Sequence, residues 1–231
     1  MNKIFLALIV CLTSVMVTHA APKTPKYNNK QIALFSYTLS LDQPVREVLN
    51  KHLSLFEANP KVDPIERKLR NQIYYLLKER LEKEIGLVFL PIESFQNAIS
   101  YDNFGFPSDN ISRVIRVGTS RLYYKIEITI SSGDQSSSGN SSRKNKTSKN
   151  EELEALNIFR PSISILMTIF NNKGIIPIDK FQGIGSAIEA LPTDATLLNG
   201  LVNEEPYEER NNLMGVANEA VTDLIVNMQL K

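Results

Sequence analysis

The chain has 231 residues, with 26 basic and 25 acidic side chains, two histidines and one cysteine. Lys3 is the one charged residue among the first twenty, so the remaining 211 residues carry 25 charges of each sign. Such a balance gives no overall electrostatic pull toward nucleic acid or anionic lipid, and a lone cysteine excludes an internal disulfide framework.

Behind Lys3, residues 4–17 form an apolar run of 14, and Thr18-His19-Ala20 offers a small-residue cleavage site. This is the layout of a secretory signal peptide spanning residues 1–20, and the run is shorter than the roughly 20 residues of a membrane-spanning helix. Val10 stands where a lipidated cysteine at position 11 would need a small residue before it. After cleavage no cysteine remains, and His52 is the remaining histidine. A chain of about 200 residues can then hold itself together by its core, burying about 70% of its unfolded surface. Export without disulfides points to a periplasm or cell envelope, with no membrane span after signal cleavage. The triplets at Asn110, Asn140 and Asn145 have the form of glycosylation acceptors, a pattern without meaning in a bacterial host.

Residues 21–30, APKTPKYNNK, read as a flexible leader. Residues 31–41 alternate, with Ala33, Phe35, Tyr37, Leu39 and Leu41 on one persistently apolar side, and predict a half-buried strand. Val45, Val48, Leu49, Leu53 and Phe56 recur at three- and four-residue spacing behind Pro44 and predict a helix. A second helix begins with Asp63 as cap, Pro64 in the first position and Glu66 as a capping-box acid. Its stripe is Ile65, Leu69, Ile73, Leu76, Leu77, Leu81 and Ile85, and Gly86 ends it. The apolar run 87–92 predicts a buried strand, joined to the first in parallel by a right-handed crossover. Residues 100–110 are turn-rich, and 111–117 predict a short helix. Leu122, Tyr124, Ile126, Ile128 and Ile130 then alternate as the inward side of a further strand.

Residues 132–152 are rich in serine and charge and cannot pack. A tether there would leave one hairpin and one helix as a free-standing unit, at the lower edge of stability. It would also leave the apolar strand before it with a bare edge. Pairing 123–130 with 162–170 antiparallel removes both problems and makes the stretch a disordered insertion. Asn171-Asn172-Lys173-Gly174 predicts a tight turn with Gly174 left-handed, followed by a second hairpin arm over 175–185. Leu213, Val216, Ala217, Ala220, Val221, Leu224 and Met228 predict a closing helix, with Glu204, Glu205, Glu208 and Glu209 in its first turns. The fold class is therefore α/β: a single mixed sheet of about five strands covered by amphipathic helices, one domain over residues 31–231.

Chemistry is narrowed by elimination. Without a mature cysteine there is no thiol nucleophile or thiolate metal site, and one histidine leaves no two-histidine metal motif. His52 is the one base available to a serine triad, and it lies beside an apolar helical stripe. Asp102 and Asp109 could in principle act as a hydrolytic acid–base pair, but their setting suits turn chemistry. Gly183-Ile184-Gly185 lacks the third glycine and following helix of a dinucleotide loop, and reads as a strand bend. Arg143, Lys144, Lys146 and Lys149 form a basic cluster read as a solvated tract. Tyr74, Tyr75, Tyr123 and Tyr124 alternate between core and surface and read as packing. No catalytic, cofactor-binding or metal-ligating residue is assigned.

The succession PIERKLRNQIYYLLKERLEKEIGLVFLP, LYYKIEITI, SISILMTIFNNKGIIPIDKFQGIGSA and NLMGVANEAVTDLIVNMQLK resembles three periplasmic α/β domains. They are those of the curli-secretion lipoprotein, the penicillin-binding-protein activator lipoproteins and the TolB amino-terminal domain. The likeness spans residues 31–231 as a pattern without a shared motif, so no functional residue carries over. It implies a non-enzymatic envelope role, through contacts with another envelope protein. The alternative expectation is a carboxylate-dependent hydrolase of glycan or peptidoglycan. Oligomeric state is left open.

Overall fold

A computed structural model describes residues 25–56, 62–132, 158–199, 201 and 212–231. The strands are β1 (Gln31–Leu41), β2 (Val88–Phe89), β3 (Leu122–Ser131), β4 (Ile158–Phe159), β5 (Ser162–Asn171), β6 (Asp179–Ser186) and β7 (Leu191–Pro192). The helices are α1 (Gln43–Asn50), α2 (Pro64–Ile85), α3 (Ile111–Val117) and α4 (Leu213–Gln229). Five strands make a mixed sheet in the order β2-β1-β3-β5-β6. β1 runs parallel to β2 and β3, and β5 runs antiparallel to β3 and β6. β4 and β7 form a separate two-stranded pair.

The predicted pairing across the serine-rich tract is present: Leu122 faces Asn171 and Ser131 faces Ser162, with every residue between in register. Most of the tract itself, from residue 133 on, lies outside the described residues, as does the predicted signal peptide over residues 1–20. α2 forms where capping signals and apolar spacing agree. The Asp63 carboxylate accepts the N–H groups of Ile65 and Glu66, and Gly86 closes the helix with a left-handed φ of 77°.

A bulge divides the labour of β1. Leu34 pairs with Tyr124 and Ser36 with Lys125, so Phe35 is an extra residue with no opposite number. The parity of the strand therefore resets. Ile32, Leu34, Tyr37 and Leu39 join the main core with α1, α2 and α4, whereas Ala33 and Phe35 enter a second apolar cluster. The sequence's single apolar side, Ala33 to Leu41, is thus split between two cores. The second cluster also holds Phe95, Ile99, Val114, Tyr123 and Phe170. It seats the 92–117 segment on the sheet face opposite the long helices.

α4 lies close against the edge strand β6. Any side chain on Gly183 or Gly185 would collide with backbone of α4, at Ala220 and at Val216 respectively. The Gly183-Ile184-Gly185 stretch is therefore a seat for a helix within a regular strand. One face of α4 then satisfies the outer edge of β6. The N–H of Ser186 donates to Glu219 (3.3 Å) and that of Ile184 to Asp223 (2.9 Å). Asn227 donates to the Gln182 carbonyl (2.9 Å) and Lys231 to the Lys180 carbonyl (3.4 Å). These four side chains recur every fourth residue, acceptors against donors and donors against acceptors, and they close an edge that would invite another strand.

Elsewhere the structure departs from expectation for identifiable reasons. The helix predicted over 45–56 stops at Asn50, because His52 leaves helical angles (φ −111°, ψ 12°) and Leu53–Leu55 form a 3-10 turn. The strand predicted over 87–92 shrinks to β2, ended by Pro91, which has no N–H to give. Gly174 is not left-handed; the positive-φ glycines among the described residues are Gly86 and Gly105. The hairpin arm begins at Asp179, because Pro177 cannot join the ladder and the connection widens to residues 172–178. Glu204, Glu205, Glu208 and Glu209 lie outside the described residues, and α4 starts later, with Asn212 capping Gly215 and no acid in the first turn. Residues 25–30 form a turn docked by buried Tyr27, whose ring meets Phe181 edge-on.

Candidate binding surfaces

The side chains that catalysis would need have structural tasks. The His52 ring nitrogen lies 2.8 Å from the Thr193 carbonyl and ties the end of α1 to the β7 region. Asp102 accepts the N–H groups of Phe104 and Phe106 with one oxygen and Arg70 (3.1 Å) with the other. Asp109 accepts the N–H groups of Ser100 and Asn110 and faces Arg113 at 3.4 Å. Burial alone would raise its pKa, yet those hydrogen bonds and Arg113 prevail and hold it below the usual carboxylate range. Both carboxylates are spent on turns, not paired for proton transfer. Among the described residues no group of three or more His, Cys, Asp or Glu side chains could hold a metal ion. The basic cluster from Arg143 to Lys149 lies outside the described residues.

Arg70 was not legible as a special residue. It is 8% exposed, bonds Glu66 through two nitrogens (3.1 and 3.0 Å) and stacks over the Phe104 ring (4.4 Å). The Tyr37 hydroxyl in turn donates to the Arg70 carbonyl (2.8 Å). This cluster staples α2 to β1 and to the 100–109 loop. The Glu66–Arg70 spacing of four was its one signal in the sequence.

The tyrosines sort as packing, with one displaced from expectation. Tyr75 is exposed, and Tyr74 and Tyr124 sit in the main core; burial pushes the Tyr74 hydroxyl up to about 12. Tyr123, on the side read as surface, is buried beneath the 92–117 segment and stacked on Phe95.

Two surfaces among the described residues bear on binding. The first is a small cleft of about 170 Å³ between the 92–99 stretch and the 117–120 turn. Ala33, Leu90, Phe95, Ser94, Gln96 and Thr119 are among its lining residues, none of them charged. Gln96 holds a left-handed φ of 49° there, and the buried Tyr123 hydroxyl behind Gly118 makes no hydrogen bond of ordinary geometry.

The second surface is the sheet face away from α1, α2 and α4. Register sets its open cross-strand rows, Thr38-Glu127-Leu166-Gln182 and Ser40-Thr129-Ser164-Ile184, beside a row Ser36-Lys125-Thr168-Lys180 in which Thr168 is buried and Lys180 exposed. Ser131, Ser162 and Ser186 complete it. The Lys125 and Glu127 side chains pair at 2.8 Å and cancel one another. What they leave is a hydroxyl-rich face with Lys180 at one corner and with Leu166 and Ile184 set into it.

Comparison with known proteins adds shape-level likenesses. No family model matches the chain, and no curated protein does. Among solved structures, the hypothetical protein CT253 from Chlamydia trachomatis is 8% identical, with a TM-score of 0.45 over 87% of this chain and 95% of that one. Lipoprotein GNA1162 from Neisseria meningitidis is 10% identical, with a TM-score of 0.34 over 76% of this chain and 94% of that one. Protein XCC0632 from Xanthomonas campestris is 8% identical, with a TM-score of 0.35 over 90% of this chain and 85% of that one. No function is read from likenesses this distant. Among the described residues no helix is long and apolar enough to cross a membrane.

Proposed function

We propose that the chain is an exported, envelope-associated domain that acts without catalysis, by binding another protein through the uncovered face of its sheet. The observation that carries this reading is the composition of that face. Lys125 and Glu127 neutralise each other at 2.8 Å, and around them hydroxyl, amide and aliphatic side chains form rows on a rigid support. Interface cores are depleted of charge in the same way. Main-chain ladders on both sides of β3 and β5 hold the backbone beneath the central side chains in place before any partner arrives, which lowers the entropic cost of binding.

The competing reading, a carboxylate-dependent hydrolase, finds less support. The cleft has no carboxylate in its lining, and Asp102 and Asp109 are engaged by backbone N–H groups and arginines. Capture of partners from envelope extracts, by the wild type and by Ser164→Arg and Ile184→Arg, separates the two. Both positions face away from the core, so the variants should melt as the wild type does and lose the captured protein. Capture that both variants retain, together with glycan hydrolysis by the wild type, would replace this reading with the enzymatic one.

A further inference from the structure

Overall charge balance conceals a local sorting of charge at one corner of the molecule. The connection between β5 and β6 presents Ile175, Ile176 and Ile178 at 60, 78 and 38% exposure, with Pro177 between them. Isolated aliphatic side chains on a surface are ordinary, but three within four residues at the tip of a hairpin are not. The tip stands clear of the fold: a side chain added at Gly174 would meet nothing within 4 Å.

Basic residues surround the base of this prong. Lys173 and Lys180 flank it in sequence and are exposed. The exposed Arg121 is held beside it by the bond from the Asn172 N–H to the Arg121 carbonyl (3.1 Å). Lys26 and Lys231 approach Asp179 at 2.6 and 3.6 Å, with their own side chains about half exposed (51 and 53%). Asp179, the acid in this group, has a side chain 9% exposed and is neutralised by the two lysines. The collar is therefore positive, and its apolar centre points outward.

The geometry points to this hairpin as a peripheral membrane-binding prong, whose isoleucines enter the interfacial region of a lipid surface carrying anionic headgroups. One feature favours lipid over a protein groove. The exposed Arg121, Lys173 and Lys180 around a short apolar tip match a diffuse negative surface, to which each basic side chain adds attraction, better than a single acidic partner site. Lys180 also stands at one corner of the uncovered sheet face, whose other rows stay free for a partner. The inference does not depend on the binding role of that face.

Flotation of the purified chain with vesicles tests the prong, using phosphatidylcholine alone or with about 30% phosphatidylglycerol. The wild type should favour the anionic vesicles and release them as salt rises. Ile175→Ser with Ile176→Ser should weaken binding about tenfold, and Lys173→Glu with Lys180→Glu should abolish the preference for phosphatidylglycerol. All four positions are solvent-facing, so unchanged far-ultraviolet circular dichroism controls for folding. Absence of binding to either vesicle, or binding that both double variants retain, overturns the proposal. So does loss of a captured protein by the isoleucine variant with vesicle binding unchanged, which would make the prong a protein-docking element.

Discussion

β5 places Ile163, Ile165, Met167 and Ile169 on one side of the sheet and Ser162, Ser164, Leu166 and Thr168 on the other. The first side is sealed by three helices, and the second is covered at one end by the 92–117 segment and open along the rest. The same backbone thus supports a surface specified by volume and a surface specified by hydrogen-bonding capacity. On the covered side each side chain has neighbours on every flank and is hard to replace. On the open side the neighbours are water or a partner, so sequence there is free to follow function.

Substitution of adjacent residues in β5 would test this contrast most severely. Ile165→Ala should cost about 3–4 kcal/mol by chemical denaturation, through lost burial and a cavity. Leu166→Ala, one residue along on the open side, should cost less than about 1 kcal/mol. Equal losses would mean that the open side is packed. Next in size, Gly185→Ala should destabilise by about 2–3 kcal/mol, because its methyl group meets the Val216 carbonyl of α4. A neutral result would mean that α4 can lift from β6 without penalty.

The smallest effect concerns the corner where the chain enters and leaves the described fold. Asp179 accepts hydrogen bonds from Tyr27 and Lys26 and faces Lys231. Burial pushes its pKa up, but those hydrogen bonds and the two lysine charges bring it below the usual carboxylate value. A depressed folded-state pKa stabilises above the unfolded value of about 4, and that contribution is lost as pH falls through the folded pKa. Asp179→Asn should therefore cost about 1 kcal/mol at neutral pH. The difference from wild type should shrink on acidification below about pH 4, as followed by urea midpoints across pH. A gap that stays constant with pH would assign the effect to lost packing.

Much of this architecture was legible where independent signals agreed. α2 had cap, stripe and stop; β3 and β5 had clean alternation; the edge-protection argument joined them across the serine tract. Features that depend on tertiary proximity were not. The bulge at Phe35 leaves no mark because Ile32 to Phe35 are apolar on both parities. Isoleucine is a good strand former, so Ile175, Ile176 and Ile178 read as the hairpin arm, and the exposed prong was hidden. Gly183 and Gly185 suggested a bend because a helix backbone arriving from about thirty residues later, at Val216 and Ala220, cannot be seen locally. Of the proposed surfaces, the open sheet face follows from alternation in β3 and β5. The cleft beside Gln96 does not, because it is made by loops.

The unpaired Phe35 has an implication for how such a chain could change over time. Removal of that one residue would leave Ile32, Leu34, Tyr37 and Leu39 in simple alternation, still in phase with the helices above them. What would go is one aromatic anchor beneath the 92–117 segment, beside Tyr123 and Phe170. A three-nucleotide insertion or deletion is thus enough to strengthen or weaken the seat of that segment while the main core stays in frame.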